Sequence, residues 1–216
     1  MNRVFVKSSD AMAIIIMLLN LMLLCPPVST STTTAPRDSL SAEKARLMNG
    51  EVIVVLTSLS DGVTGVSGKI YIAAPPKKVW EVLTDYNNHK SFIPKLTDSG
   101  LISDDGKEQV MFQKGRTTIF IFSRTVYIKV RVRGEYLKHL DFEEISGDFK
   151  VYKGRWIMEE YQKGQGTFLS YESEVKPDFF APAFVVRYVQ KHDFPSVLTA
   201  MKKRAESIGR TTPALH

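Results

Sequence analysis

Few residues in this 216-residue chain have the type and spacing for chemistry. His89, His139 and His192 stand far apart, with no His-x-x-x-His pair and no cysteine partner at metal-ligand spacing. Each reads as a surface or locally bonded side chain, and no metal or other cofactor is expected. Gly62, Gly65 and Gly68 sit between strands and open no helix, so they make no nucleotide cradle. No Gly-x-Ser-x-Gly supplies a serine nucleophile. The only cysteine, Cys25, lies in an N-terminal apolar run, which excludes disulfides and a thiol nucleophile from everything after it. What remains is aromatic and hydroxyl chemistry. Tyr86, Tyr171 and Arg124 are the candidates for moving a proton, but no matched acid–base pair accompanies them. Trp80, Tyr86, Phe92, Phe112, Phe149, Trp156 and Tyr171, with Arg124 and Ser173, offer large apolar surface and few polar anchors. That is the make-up of a small-molecule cavity, although any one of the aromatics serves equally as core.

Such a set requires elements to hold it. Residues 52–59 are rich in β-branched types and read as a strand, Ser60-Asp61-Gly62 as a turn, and 63–72 as its hairpin partner. Gly65 and Gly68 predict a bulge or bend in that partner. Pro75-Pro76 stops the strand and opens a short amphipathic helix carrying Val79, Trp80, Val82, Leu83 and Tyr86. Asn87-Asn88-His89 interrupts it, and Phe92-Ile93-Pro94 closes a short helix pair. Asp104-Asp105-Gly106 is a hairpin turn. Residues 125–133 alternate, with Val126, Ile128, Val130 and Val132 on one face and Tyr127, Lys129, Arg131 and Arg133 on the other. Ser123-Arg124 reads as a corner, Arg124 pointing to water or anchoring a ligand head group. Further strands fall at 140–145, 156–161 and 168–175, and on the last Leu169, Tyr171, Ser173 and Val175 share a face. Over 182–208, Phe194, Val197, Leu198, Met201, Ala205 and Ile208 recur at helical steps. They predict a long helix whose stripe covers the sheet. Pro195 lies inside it and predicts a kink or a break.

Three stretches resemble a known family. Ile72-Ala73-Ala74-Pro75-Pro76, then Val79-Trp80-Glu81-Val82-Leu83-Thr84-Asp85-Tyr86, then Phe92-Ile93-Pro94 are similar to the opening motif of one START group. That group is the polyketide cyclase/dehydrase and coenzyme Q-binding START domains of the START/Bet v 1-like (SRPBCC) superfamily. Gly147-Asp148-Phe149 and Tyr152-Lys153-Gly154-Arg155-Trp156 resemble a later stretch of the same group. The resemblance covers roughly 50–209. It implies an α+β helix-grip fold: a curved antiparallel sheet wrapped around a long C-terminal helix, with a short helix pair after the first strands. It also implies a cavity between sheet and helix.

The N-terminus is of another kind. Arg3 and Lys7 precede an apolar run over 11–24, too short for a membrane span of about 20 residues and matched to a secretory signal. Residues 1–35 are therefore read as a signal peptide, or alternatively an uncleaved anchor. The product is expected to be exported, periplasmic or secreted. Residues 36–49 read as a linker leading into a mildly helical stretch, 50–210 as the ligand-binding domain and 211–216 as a tail. The formal charge of +6 falls only to +5 without residues 1–35, because Arg3, Lys7 and Asp10 leave with them. Such a surplus favours acidic surfaces without naming one. Lys129, Arg131, Arg133 and Tyr127 could track phosphates, yet a solvated outer sheet face is the simpler reading, and no nucleic acid partner is expected.

The expected function is binding of a hydrophobic small molecule, a lipid, isoprenoid quinone or polyketide-like compound, as a carrier without catalysis. The alternative is a cyclase/dehydrase-type enzyme using the same cavity. Phe179, Phe180, Val185 and Val189 are expected at the cavity rim, or in transient contact with a membrane.

Overall fold

The computed structural model describes residues 36–119, 122–181 and 183–210. The signal-like segment with Cys25, and the tail, lie outside them. Helix α1 spans Pro36–Met48, followed by strands β1 (Ile53–Ser58) and β2 (Thr64–Ile72). Helices α2 (Pro76–Thr84) and α3 (His89–Phe92) come next, joined by a short 3-10 turn. Six strands follow: β3 (Leu96–Asp104), β4 (Gln109–Ile119), β5 (Phe122–Glu135), β6 (His139–Gly147), β7 (Phe149–Tyr161) and β8 (Gly166–Pro177). Helix α4 (Ala183–Arg210) closes the chain. All eight strands form one antiparallel sheet in the order β1-β2-β8-β7-β6-β5-β4-β3. Each strand pairs with its neighbour in sequence except at β2–β8, the pairing that brings the first hairpin beside the last strand.

The register fixes one inner face. Val66, Gly68 and Ile70 on β2 lie opposite Ser173, Tyr171 and Leu169 on β8. These in turn lie opposite Gly154, Trp156 and Met158 on β7. Val130 and Val132 continue that face on β5, Met111 on β4. Most of these side chains are buried, and together with Leu198, Met201 and Ala205 of α4 they form the core. The outer face carries charge. Arg131 and Arg133 both donate to Glu108 at 2.8 Å, so these strand cations are already matched.

Two local expectations change. Residues 36–48 form a helix, where the sequence suggested a linker with mild helicity. Leu47 is buried, and Lys69 donates to Glu43 at 2.7 Å. Lys44 sits over the Phe168 ring. Neither Gly65 nor Gly68 makes a bulge, since β2 keeps an unbroken register on both sides. Gly68 is instead where the helix lands: a Cβ there would meet Phe194 Cε1 at 2.4 Å and Leu198 Cδ1 at 3.0 Å.

Helix α4 runs through Pro195 as one element, so the expected break does not occur. The missing N–H strands the Lys191 carbonyl, and Lys191 is exposed to water, which can take that role. From Phe194 onward the stripe is buried, and polar bonds fix this half to the β2–α2 corner. Lys202 Nζ donates to the Tyr71 carbonyl at 2.7 Å, and Glu206 accepts from the Ala73 N–H at 2.9 Å. Overpacking a filled core costs about 1–3 kcal/mol. Gly68→Ala is therefore expected to destabilise by that amount in urea unfolding, because the Phe194 ring is itself wedged 4.6 Å from Tyr171.

Candidate functional site

The inner face is not filled everywhere. Between the sheet and α4 lies a cavity of about 390 Å³. This is near the small end of the 300–1,000 Å³ typical of ligand sites. Its wall combines Met111 on β4, Ile128, Val130 and Val132 on β5, and Leu140 and Phe142 on β6. Phe149, Tyr152 and Trp156 come from β7, Tyr171 from β8. The α2–α3 segment adds Leu83, Tyr86 and His89, and α4 closes the space with Val189, Asp193, Phe194 and Met201. Short β-strands position these groups for a simple reason: every second residue faces inward.

The phenols and the imidazole in this wall are held neutral. Burial pushes the Tyr171 phenol well above its ordinary range, and it pushes the neighbouring Tyr152 up as well. The Tyr86 phenol is raised by the same cause, and its O–H donates to Gln109 Oε1 at 2.9 Å. His89 is 3 % exposed, and burial lowers its imidazole below the usual value. Its Nε2 lies 3.0 Å from the Val82 carbonyl, an obligate acceptor, so Nε2 carries the proton. Its Nδ1 accepts from Gln113 Nε2 at 3.1 Å. Both nitrogens are thus occupied within the wall. No group of three or more His, Cys, Asp or Glu able to hold a metal occurs among the described residues.

Of the side chains singled out from sequence, Tyr86, Phe149, Trp156, Tyr171 and Val189 line the cavity. Four others do not. Phe112 faces outward, its ring 6.3 Å from Tyr127. Trp80 turns to the far side of α2 and meets Tyr136 edge-on at 5.2 Å. Phe92 faces an open groove beside Pro195 and Arg204. Arg124 is in β5 and not at a corner; its guanidinium lies 3.7 Å over the Phe179 ring and 3.6 Å from Asp148. Ser173 shares the inner face but is enclosed, with its Oγ lacking a hydrogen-bond partner. Phe180 is 94 % exposed, and Val185 is half-buried on α4 outside the cavity lining. Sequence reasoning missed Met111, His89, Tyr152 and Asp193. Asp193 carried no signal, since it falls one position before the regular stripe of α4.

An open antiparallel sheet wrapped against a C-terminal helix, with a small apolar cavity between them, defines a START-like helix-grip protein. Residues 72–202 match the polyketide cyclase / dehydrase and lipid transport family, and the chain belongs to that family. Among solved structures it is similar to the Zhui aromatase/cyclase from Streptomyces sp. R1128. There the identity is 15% and the TM-score 0.61, over 71% of this chain and 99% of that one. It also resembles the STAR-related lipid transfer protein of Xanthomonas axonopodis, at 15% identity and TM-score 0.54, covering 70% and 98% of the two chains. Human STARD10 aligns at 14% identity and TM-score 0.54, covering 83% and 84%. At these identities the likeness establishes the fold. A comparison with curated proteins returns no match.

The state of His89 has a measurable consequence. An unfolded imidazole titrates near pH 6.5, whereas the folded one titrates lower, so the folded state binds fewer protons in that window. Stability is therefore complete above about pH 6.5 and falls as pH drops through it, by up to about 1.4 kcal/mol per unit. Thermal melts at pH 7.5 and 5.5 should show this loss in wild type and a smaller loss in His89→Gln.

Proposed function

We propose that the protein is an exported carrier that binds a hydrophobic small molecule between its sheet and α4, without chemistry. The observation that carries this reading is a mostly apolar cavity whose phenols and imidazole are neutral, with its Asp193 already paired to Lys95. Tyr86, Tyr152 and Tyr171 stay protonated at neutral pH, and His89 has no free nitrogen. General acid–base catalysis needs a group poised near the working pH and within reach of the substrate, and none lines this wall. Membership of the polyketide cyclase / dehydrase and lipid transport family supports a ligand of lipid, isoprenoid quinone or polyketide-like character. Export rests on residues 1–35 alone.

Mass spectrometry of the native protein from its own host should reveal a bound apolar compound. Val189→Trp, which fills the mouth side of the wall, should weaken binding of an apolar fluorescent probe by about tenfold, roughly 1.4 kcal/mol. Turnover of an aromatic polyketide precursor, abolished by Tyr171→Phe, would establish the cyclase reading instead.

Transient membrane contact forms part of the same proposal. Phe180 projects almost fully into solvent from a loop whose other phenylalanine, Phe179, is held by Arg124. A presented aromatic side chain gains about 1.5–3 kcal/mol on full burial. Phe180→Ser is expected to reduce co-sedimentation with vesicles by at least severalfold while leaving the melting temperature unchanged. Equal sedimentation would remove Phe180 from the docking surface.

A further inference from the structure

The sheet has two edge strands, β1 and β3, and they differ in kind. An edge presents unpaired backbone N–H and C=O groups, a template for another strand unless side chains, charge or bulges blunt it. Edge β3 is blunted in all of these ways. Its Leu101 N–H donates to Asn87 Oδ1 at 3.0 Å, and its Ser99 N–H to Asp98 Oδ1 at 2.9 Å. Its ladder with β4 breaks register twice, and it carries Asp98 and Asp104. Edge β1 has none of these devices. Its ladder with β2 is unbroken from Ile53 to Ser58, and the run from Val52 to Ser60 holds no charged residue. Just past β1, the Leu59 N–H donates to the Val63 carbonyl at 2.9 Å, toward β2. Backbone groups alternate sides along an antiparallel strand, so those of Val54, Leu56 and Ser58 point away from β2. Among the described residues, no side chain bonds the N–H or C=O of Val54 or Leu56.

We infer that β1 pairs antiparallel with β1 of a second copy of this chain, across a two-fold axis, to form a reversible dimer. An antiparallel strand pair is complementary to itself under such an axis. The register that sets Val55 opposite its own counterpart lets Val54 and Leu56 exchange backbone bonds with Leu56 and Val54 of the other copy. Val55 is 53% exposed on the outer face, and this register covers it with an identical side chain. A strand without charge meets its own copy without repulsion, which β3, with Asp98 and Asp104, would not. The assembly also stops at two, because the edges then left are two copies of the blunted β3. The joint is short, six residues on each side. It buries less than the roughly 1,200 Å² of stable interfaces, so the dimer forms as concentration rises and dissociates on dilution. No residue of β1 lines the cavity, so pairing and ligand binding are separable.

Sedimentation of the purified protein at rising concentration tests this. Wild type should shift from the mass of one chain toward that of two. Val55→Lys sets two ammonium groups opposite each other at an exposed position, and should weaken association severalfold without changing the melting temperature. Leu101→Lys, at an exposed position on the β3 edge, should leave association unchanged. Crosslinking in a Cys25→Ser background reads the register. Opposed residues of a non-hydrogen-bonded pair stand about 4.5 Å apart at Cα, within the span of a disulfide. Val55→Cys should therefore give a covalent dimer under mild oxidation, and Leu101→Cys should not. A single-chain mass at every concentration would overturn the proposal, and slow hydrogen exchange at Val54 and Leu56 in that monomer would assign the edge to another segment of the chain. Association that survives Val55→Lys would overturn it as well, as would equal crosslinking at Leu101 and Val55, because either puts the contact elsewhere.

Discussion

The close approach of α4 to β2 at Gly68 sets how the helix sits on the sheet. At Gly68 the helix comes near enough that a methyl group would collide with Phe194 and Leu198. From there the buried stripe of Leu198, Met201 and Ala205 seals the second half of the helix to the core. The cavity lies beside β4, β5 and β6, and Phe194 and Met201 of α4 also line it. Met111 and Trp156 line it from the sheet side, and the remaining volume is the site.

Polar bonds reinforce that asymmetry. Lys202 and Glu206 hold the second half of α4 to the backbone of the β2–α2 corner, and Thr167 Oγ1 donates to the Ala74 carbonyl at 2.8 Å beneath the same corner. Among the described residues, the first half has the solvated Lys95–Asp193 pair and an Arg187–Ser58 contact at 3.3 Å. Exposed pairs hold weakly, whereas buried apolar stripes hold through area removed from water. Polar anchoring of α4 to the β2–α2 corner is thus concentrated after Pro195, the residue at which the helix lacks a single backbone bond.

Much of the inner face was readable in the chain. On β5 and β8, strict alternation separates Val126, Ile128, Val130 and Val132, and Leu169, Tyr171, Ser173 and Val175, from their polar neighbours. The register places both sets inside. Alternation fails on β4, because Val110, Met111 and Phe112 are apolar in succession, so period alone does not say that Met111 enters the cavity and Phe112 leaves it. Val79 and Trp80 pose the same difficulty on α2. Arg124 shared parity with the inner residues but lies toward the strand end, past the cavity, where Phe179 and Asp148 receive it. His89 and Asp193 depend on contacts between segments far apart in sequence, and no local pattern encodes those.

Helix α1 sets where the folding unit begins. Phe168 points to the convex side of the sheet, yet it is only 5% exposed. It packs with Tyr71 and Tyr161 there, and Lys44 of α1 lies over its ring. A fragment starting at Gly50 would retain every strand and the whole cavity. It would also uncover this aromatic cluster to water, creating an adhesive patch on the surface opposite the ligand. Residues 40–48 of α1 thus belong with the sheet they cover, although none of them lines the cavity.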